Sequence, residues 1–162
     1  MQTVEFNLAD ADRLSVEQSL GRKPEGLFKV VVRDKSGLNP IVIMNYPILK
    51  SGRPMPTLFW LVGLSEVKLV SQIESKFGLK AVEVLFKADD IVRIHESYSK
   101  TRSELIPVDY IGIKPSGGVG GTSKGLKCLH AHLANYLATE ADPAGQWTFN
   151  QCNLSTDDYI RV

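Results

Sequence analysis

The segment from Gly117 to His132 carries the residue types of this chain that are best suited to chemistry. Four of its first five residues are glycines, and a short polar stretch leads from them into a helix predicted to begin near Gly125. Glycines let backbone N–H groups converge on an anion, and a helix N-terminus attracts negative charge. The segment has neither a Walker ending nor a dinucleotide-binding fingerprint. The predicted ligand-binding residues are Gly118, Gly120, Gly121 and Lys124. The alternative is a loop that needs positive φ angles or close backbone packing.

The same segment places one of the two cysteines beside two of the three histidines. On a regular helix, Cys128 and His132 lie on one flank, whereas His130 lies on the opposite edge of the apolar stripe. A structural zinc site needs four protein ligands, so these two residues leave two positions unfilled. No CxxC or HExxH motif supplies the missing ligands. The sequence therefore assigns no cofactor. A zinc or iron site, if present, would use Cys128, His130 and His132. Two alternatives stay open: an inert buried cysteine, and a Cys128 nucleophile activated by the helix N-terminus.

A third group lies on the helix predicted in the middle of the chain. His95, Tyr98 and Arg102 follow one another at spacings of three and four, so they share the apolar stripe of that helix. Polar groups on such a stripe form either a hydrogen-bonded network or the wall of a pocket. We expect Arg102 to clamp a carboxylate or phosphate, and Tyr98 to contact the same ligand. The alternative is a helix end that emerges into solvent.

Apolar periodicity predicts the elements that must position these residues. The predicted strands cover residues 27–33, 41–44, 57–62 and 110–113. The predicted helices cover residues 11–20, 65–77, 81–105 and 125–139. Short connections favour antiparallel pairing of the strands. The order of elements predicts an α+β fold, with a small, mostly antiparallel sheet of about four strands packed by three to four helices.

Length and composition restrict the classes of protein to which the chain can belong. Its 162 residues suit a single domain over residues 1–162, with 1–12 and 147–162 as candidate irregular tails. A net charge of +1 argues against a nucleic-acid partner. No apolar run approaches the roughly 18 residues of a membrane helix, and no secretory signal is recognised. Two widely spaced cysteines form no disulfide framework, so we expect a cytoplasmic protein. The oligomeric state is not determined by the sequence.

A series of short motifs resembles one protein family. The motifs are Glu17–Gly26, Gly52–Leu61, His95–Tyr98 with Arg102, Gly118–Gly121, Lys127–His132 and Asp142–Gly145. They span about residues 17–145, and their order is more specific than any single motif. The chain thus resembles domain-of-unknown-function family 501, found mainly in actinobacteria. The resemblance implies a bacterial, cytoplasmic protein with the fold of that family, and it implies no activity.

The resemblance also bears on the metal hypothesis, because the chain departs from the family at two places. Many similar sequences have Cys-Pro-Cys-Gly where this chain has Asp34–Gly37, and Thr-Cys-Pro where it has Val62–Leu64. If those cysteines form a metal centre with Cys128 and His130, this chain has lost most of it. The other motif positions are kept, which favours a polar pocket.

The leading hypothesis is a pocket for a small anionic ligand, such as a phosphorylated compound. Any catalysis, hydrolysis included, would use His130, His132 or His95 as acid or base, because imidazole titrates near neutral pH. The sequence does not decide whether the protein is an enzyme. Two alternatives stay open: a non-catalytic interaction or scaffold protein, and a Cys/His metal-binding protein whose site is reduced relative to its family. The pocket hypothesis requires the three segments to meet around one polar cavity.

Overall fold

The computed structural model describes residue 6 and residues 9–162, and over these residues the fold is α+β, as predicted. The α-helices are α1 (Asp10–Leu20), α2 (Leu64–Phe77), α3 (Leu79–Glu83), α4 (Ala88–Glu104), α5 (Leu129–Thr139) and α6 (Pro143–Gln151). The strands are β1 (Phe28–Asp34), β2 (Pro40–Asn45), β3 (Phe59–Leu61) and β4 (Tyr159–Arg161). The described part of the chain therefore has the expected four strands, but six helices rather than three to four.

The four strands form one antiparallel sheet in the order β3-β2-β1-β4. Every residue of the central strand β2 is buried, which agrees with its continuous apolar sequence. A register shift between Val30 and Val32 bends β1 against β2. Because β3 ends the sheet on one side, its outer edge is available to line a site.

Helices cover both faces of the sheet. On one face, Val16 of α1 packs with Phe28, Val30 and Ile43. On the other face, a larger core joins the sheet to α2, α4, α5 and α6, with Leu133 of α5 completely buried. Full burial of a large aliphatic side chain stabilises a fold by roughly 1.5–3 kcal/mol. The burial of Leu133 therefore holds α5, the helix that follows the glycine loop, in position.

The first helices and strands lie close to their predicted positions because their signals are local. α1 ends at Gly21, which adopts a left-handed conformation with φ +70°. α2 ends at Gly78, as predicted, although its N-cap is Gly63 rather than Ser65. The predicted helix 81–105 is wrong in its first turns, since the chain leaves helical geometry between α3 and α4. Val84 and Leu85 are exposed there rather than in the core.

The fourth strand is not the predicted one. Residues 110–113 form no strand, and Ile111 and Ile113 are exposed. The free edge of β1 instead pairs with β4, near the C-terminus. β-Branched residues favour strands only where a partner edge is within reach, and the tertiary fold decides that.

The structure bears differently on the two segments that were predicted to be irregular tails. Residues 147–162 are not an irregular tail, because they contain the end of α6 and all of β4. Most of residues 1–12 lies outside the described residues, and α1 begins at Asp10. Among the described helices, none has both the length and the apolar character needed to cross a membrane.

Candidate functional site

The glycine loop is a tight turn packed against the protein. Gly117, Gly120 and Gly121 have φ values of +78°, +69° and +80°, a region in which side chains cause strain. Gly118 has an ordinary φ of −109°, but a Cβ at this position would clash with the Cβ and Nδ1 atoms of His95. The loop therefore has both properties of the packing alternative, namely positive φ angles and close backbone approach.

His95 fixes this loop from α4. Its Nδ1 accepts a hydrogen bond from the Val119 N–H at 3.0 Å, so Nε2 carries the proton and donates to the Gly125 carbonyl at 2.8 Å. The side chain is almost fully buried, and this burial lowers the pKa of the imidazole. His95 is therefore a neutral ring whose two nitrogens both bond to backbone.

Arg102, two turns further along α4, is completely buried. Its terminal nitrogens donate to the carbonyl oxygens of Pro56 and Gly117, both at 2.7 Å, and to Pro115 at 3.4 Å. Desolvation lowers the pKa of the guanidinium. The carboxylate or phosphate clamp expected of Arg102 stays a prediction, and its partners in the structure are these three backbone carbonyls and, at 3.4 Å, the hydroxyl of Ser99.

Tyr98 has a similar environment. Its hydroxyl oxygen accepts hydrogen bonds from the backbone N–H groups of Leu58, at 2.6 Å, and Phe59, at 3.2 Å. Burial raises the pKa of the phenol. Tyr98 thus anchors the start of β3 to α4, and its predicted contact with a ligand stays a prediction.

His132 lies on the inner side of α5 and is completely buried. Its Nδ1 donates to Oδ2 of Asp142 at 2.8 Å, and the other oxygen of Asp142 accepts from the Gly145 N–H at 2.9 Å, capping α6. The ring meets that of His95 edge to face, with centroids 5.9 Å apart. We call His95, Tyr98, Arg102, His132 and Asp142 the interior cluster.

Cys128 pairs with His130 and not with His132. α5 begins at Leu129, four residues later than predicted, and Cys128 is its extended N-cap with φ −154° and ψ 113°. Its Sγ lies 3.9 Å from Nδ1 of His130. The prediction that Cys128 and His132 share a flank, with His130 apart, is therefore wrong. The structure does not bring the ligand atoms of the predicted metal set, Cys128, His130 and His132, together, because His132 faces Asp142.

Two glutamates that the sequence reasoning missed reach the beginning of α5. Oε1 of Glu74, on α2, accepts from the Leu129 N–H at 2.7 Å and lies 3.4 Å from Nδ1 of His130. Oε1 of Glu83, on α3, accepts from the Leu126 N–H at 2.7 Å. The protein itself thus supplies carboxylates to two amides where an external anion was expected. No spacing signal links these glutamates to α5, because they lie 55 and 43 residues before their partners.

The other nitrogen of His130 contacts α2. Nε2 lies 3.0 Å from Oγ of Ser71 and 3.2 Å from the carbonyl oxygen of Val67. The pKa of His130 is raised, mainly by the contact with Cys128 and also by the charge of Glu74, although burial opposes the shift. His130 is a quarter exposed, unlike the two interior histidines.

A cleft of about 660 Å³ opens beside Cys128 and His130, along the outer strand β3. Its apolar wall includes Leu20, Phe59, Trp60, Leu61, Val62, Leu64 and Val67. The segment that leads into α5 contributes Gly120, Gly121, Lys127, Cys128 and His130, which we call the polar end of the cleft. We call this the β3 cleft. A volume of this size is typical of sites for small organic ligands.

The residues predicted for one site are divided by the fold. Gly120, Gly121 and His130 line the β3 cleft, whereas His95, Gly118 and Lys124 line a second recess of about 430 Å³. Arg102, Tyr98 and His132 are not among the lining residues of either space. The three segments do contact one another, but they meet in packed interior rather than around a single cavity.

The two departures from the similar sequences lie together. Asp34 and Gly63 line a recess of about 430 Å³ that adjoins the β3 cleft and shares Val62 and Leu64 with it. Oδ1 of Asp34 accepts from the Ser36 hydroxyl at 2.6 Å, and the hydrogen bonds from Ser36 and Asn39 lower the pKa of this carboxyl to about 2. The two segments at which the resemblance implied cysteines therefore line one recess.

Comparison with known protein families matches residues 31–150 to the family described as "Protein of unknown function (DUF501)". No curated protein and no solved structure matches the chain. The matched residues contain the interior cluster and the polar end of the β3 cleft, whereas β4 lies beyond them.

Proposed function

The chain belongs to DUF501, a family of proteins of unknown function, and we propose that its β3 cleft binds a small molecule with an apolar body and an anionic head. The observation that carries this proposal is the mixed lining of the cleft. Aromatic and aliphatic side chains form most of it, and a lysine, an imidazole and two glycines from the segment that leads into α5 complete it. A mostly apolar lining with a few polar groups is typical of sites for small organic ligands.

The apolar wall suits the body of the ligand. Phe59 and Leu61 of β3 are buried, so most of the accessible apolar surface comes from Trp60, which is partly exposed, and Leu64, which is 64% exposed. Transfer of apolar surface from water to such a wall is worth about 25 cal/mol per Å². An aryl or alkyl group would therefore supply most of the binding free energy.

Lys127 supplies the positive charge at the polar end. It forms no ion pair with any of the residues that the structure describes, and it lies one residue before the N-cap of α5. Glu74 offsets charge on His130, so Lys127 is the main attraction for an anionic head. This assigns to Lys127 the role that the sequence gave to Arg102 and Lys124. In this proposal, Gly120, Gly121 and His130 keep the roles predicted from the sequence.

Any acid–base step in this cleft would use His130, because His130 lines the cleft and His95 and His132 do not. We also propose a cytoplasmic location, because Cys128 and Cys152 are both free thiols and thiols stay reduced in the cytoplasm.

The proposal is tested with anilinonaphthalene sulfonate, a dye with aromatic rings and one sulfonate group. We expect saturable fluorescence enhancement with the folded chain in the presence of a chelator. Lys127→Gln should weaken dye binding roughly threefold to tenfold, as expected for loss of a contact worth about 1 kcal/mol. Lys124→Gln is the matched control, since Lys124 lines the other recess, and it should leave the affinity unchanged.

Two results would contradict the proposal. One is an equal effect of the two lysine substitutions. The other is dye binding that leaves the indole NMR signal of Trp60 unmoved, because this ring forms part of the apolar wall. Near-ultraviolet circular dichroism on each variant establishes that the dye reports a folded protein.

A further inference from the structure

We propose that Glu74, Cys128 and His130 form a binding site for a divalent cation of the zinc type. The site differs from the set considered in the sequence, because Glu74 of α2 takes the place of His132. It is independent of the ligand proposed for the β3 cleft, since protein side chains supply its three ligand atoms.

The spacing of the ligand atoms suits such an ion. One ligand atom from each residue lies within 4.8 Å of the other two. Nδ1 of His130 is 3.4 Å from Oε1 of Glu74 and 3.9 Å from Sγ of Cys128. Bonds of about 2.0–2.1 Å to nitrogen and 2.3 Å to sulfur place tetrahedral ligand atoms roughly 3.3–3.7 Å apart. A small rotation of the Cys128 side chain would close the set.

The orientation of His130 is that of a metal ligand. A carbonyl oxygen only accepts, so the 3.2 Å contact with Val67 assigns the proton to Nε2. When the ring is neutral, its Nδ1 lone pair faces a carboxylate oxygen of Glu74 and the thiol of Cys128. A proton shared by these groups satisfies them in the metal-free protein, and a divalent cation would bind where that proton lies. Metal-bound histidines commonly donate their other N–H to a backbone carbonyl in this way.

The other two ligands are also held in place. Oε1 of Glu74 accepts from the Leu129 N–H, which fixes the carboxylate against the start of α5. Cys128 is fixed through its neighbour Leu129, whose side chain is completely buried. The site therefore joins two packed helices, and little ordering of the chain would accompany binding.

The chemistry of the donors selects the class of ion. A thiolate and an imidazole favour zinc over magnesium or calcium, which prefer oxygen ligands. Cys128 would lose its proton to solvent on binding. Cys128 and His130 both line the β3 cleft, so the fourth coordination position would face the cleft, as in zinc sites that bind substrate.

The test is titration of the metal-free full chain with Co²⁺, whose bond to a thiolate gives a charge-transfer absorption band. We expect one equivalent of Co²⁺ to produce the band and Zn²⁺ to displace it. Cys128→Ser should abolish the band, whereas Cys152→Ser, the matched control at the other cysteine, should keep it. His130→Ala and Glu74→Gln should weaken Co²⁺ binding at least tenfold. Glu74→Gln retains an oxygen that can accept from the Leu129 N–H, so the start of α5 is preserved.

The inference fails if the folded wild type gives no thiolate band, or if the band survives Cys128→Ser. Should a variant fail to fold by circular dichroism, alkylation of the wild type decides the question. Zn²⁺ should slow the reaction of iodoacetamide with Cys128 at least tenfold, as measured by peptide mass spectrometry. Unchanged alkylation would overturn the site and favour a metal-free Cys128–His130 pair. None of these measurements uses an organic ligand, so their failure is separate from failure of the dye experiment.

Discussion

The interior cluster and the β3 cleft contain the same kinds of side chain in different surroundings. His95 and His132 are buried, and each donates a hydrogen bond to a protein acceptor. His130 is a quarter exposed, and its Nδ1 faces Cys128 and Glu74 at the edge of a cleft. The pKa of His95 is lowered by burial, whereas that of His130 is raised, chiefly by its contact with Cys128.

This difference separates a structural role from a chemical one. In the interior cluster, Arg102 binds the backbone carbonyls of Pro115 and Gly117, at the glycine loop, and of Pro56, before β3. In the β3 cleft, Lys127 and the Cys128–His130 pair border open space. A buried polar side chain whose partners are protein groups stabilises a fold, while one that borders a cleft is available to a ligand.

The largest expected effect is that of Arg102→Met, which keeps most of the side-chain volume but removes every donor. The carbonyl oxygens of Pro56 and Gly117 would then lack their short hydrogen bonds in a buried environment. At 1–3 kcal/mol for each unsatisfied group, we expect the free energy of unfolding to fall by roughly 3 kcal/mol. Denaturant unfolding measures this change.

Arg93→Met is the matched control on the same helix. Arg93 is exposed and pairs with Asp90 three residues earlier, so its loss should change stability by no more than about 0.5 kcal/mol. If the two substitutions have similar effects, Arg102 is not a structural residue and the clamp role predicted from the sequence regains support.

A second comparison concerns substitution of two glycines in the same loop. Gly118→Ala would force a Cβ into His95, so we expect a loss of roughly 2–3 kcal/mol. Gly121→Ala has free space around the new Cβ but a φ of +80°, so its cost is backbone strain of about 1 kcal/mol. Urea unfolding of both variants gives the ranking. The reverse order would show that the loop is not packed on His95.

The pH dependence of stability tests the buried state of His95. Its pKa is lowered in the folded protein, so the unfolded chain takes up this proton at a higher pH than the folded chain does. The stability due to neutral His95 is therefore complete above about pH 6.5 and is lost as the pH falls below that value. The neighbouring titratable groups are His132, whose charge opposes protonation of His95, and Asp142, whose charge favours it.

The measurement is the free energy of unfolding between pH 7.5 and pH 5, for the wild type and for His95→Gln. The wild type should lose stability more steeply on acidification than the variant does. Parallel curves would mean that His95 is not held neutral by the fold.

The smallest expected effect on stability is in the cleft. Lys127 is exposed and has no ion pair within the described part of the chain, so Lys127→Gln should change the free energy of unfolding by no more than about 0.5 kcal/mol. Thermal unfolding of this variant beside Arg102→Met completes the comparison. A large loss of stability from Lys127→Gln would mean that the polar end of the cleft is itself structural.

The sequence located the candidate chemistry but not its partners. The motif around Cys128 and His130 does border a cleft, and the glycine loop lies beside it. The grouping within the motif was wrong because it assumed a regular helix from Gly125. The helix begins at Leu129, since Glu74 caps that amide and the preceding residues are extended or turn-like. Which carboxylate reaches an amide 55 residues away depends on how α2 and α5 pack.

By itself, the sequence determined the fold class, the first three strands and the helices that end at Gly21 and Gly78. These features follow from the spacing of apolar residues and from glycine conformation, which act over a few residues. The tertiary structure alone decided which polar residues were enclosed and which were left at a cleft. That outcome depends on contacts between segments far apart in the chain, such as Arg102 with Gly117 and Glu74 with Leu129, and such contacts leave no periodic trace in a single sequence.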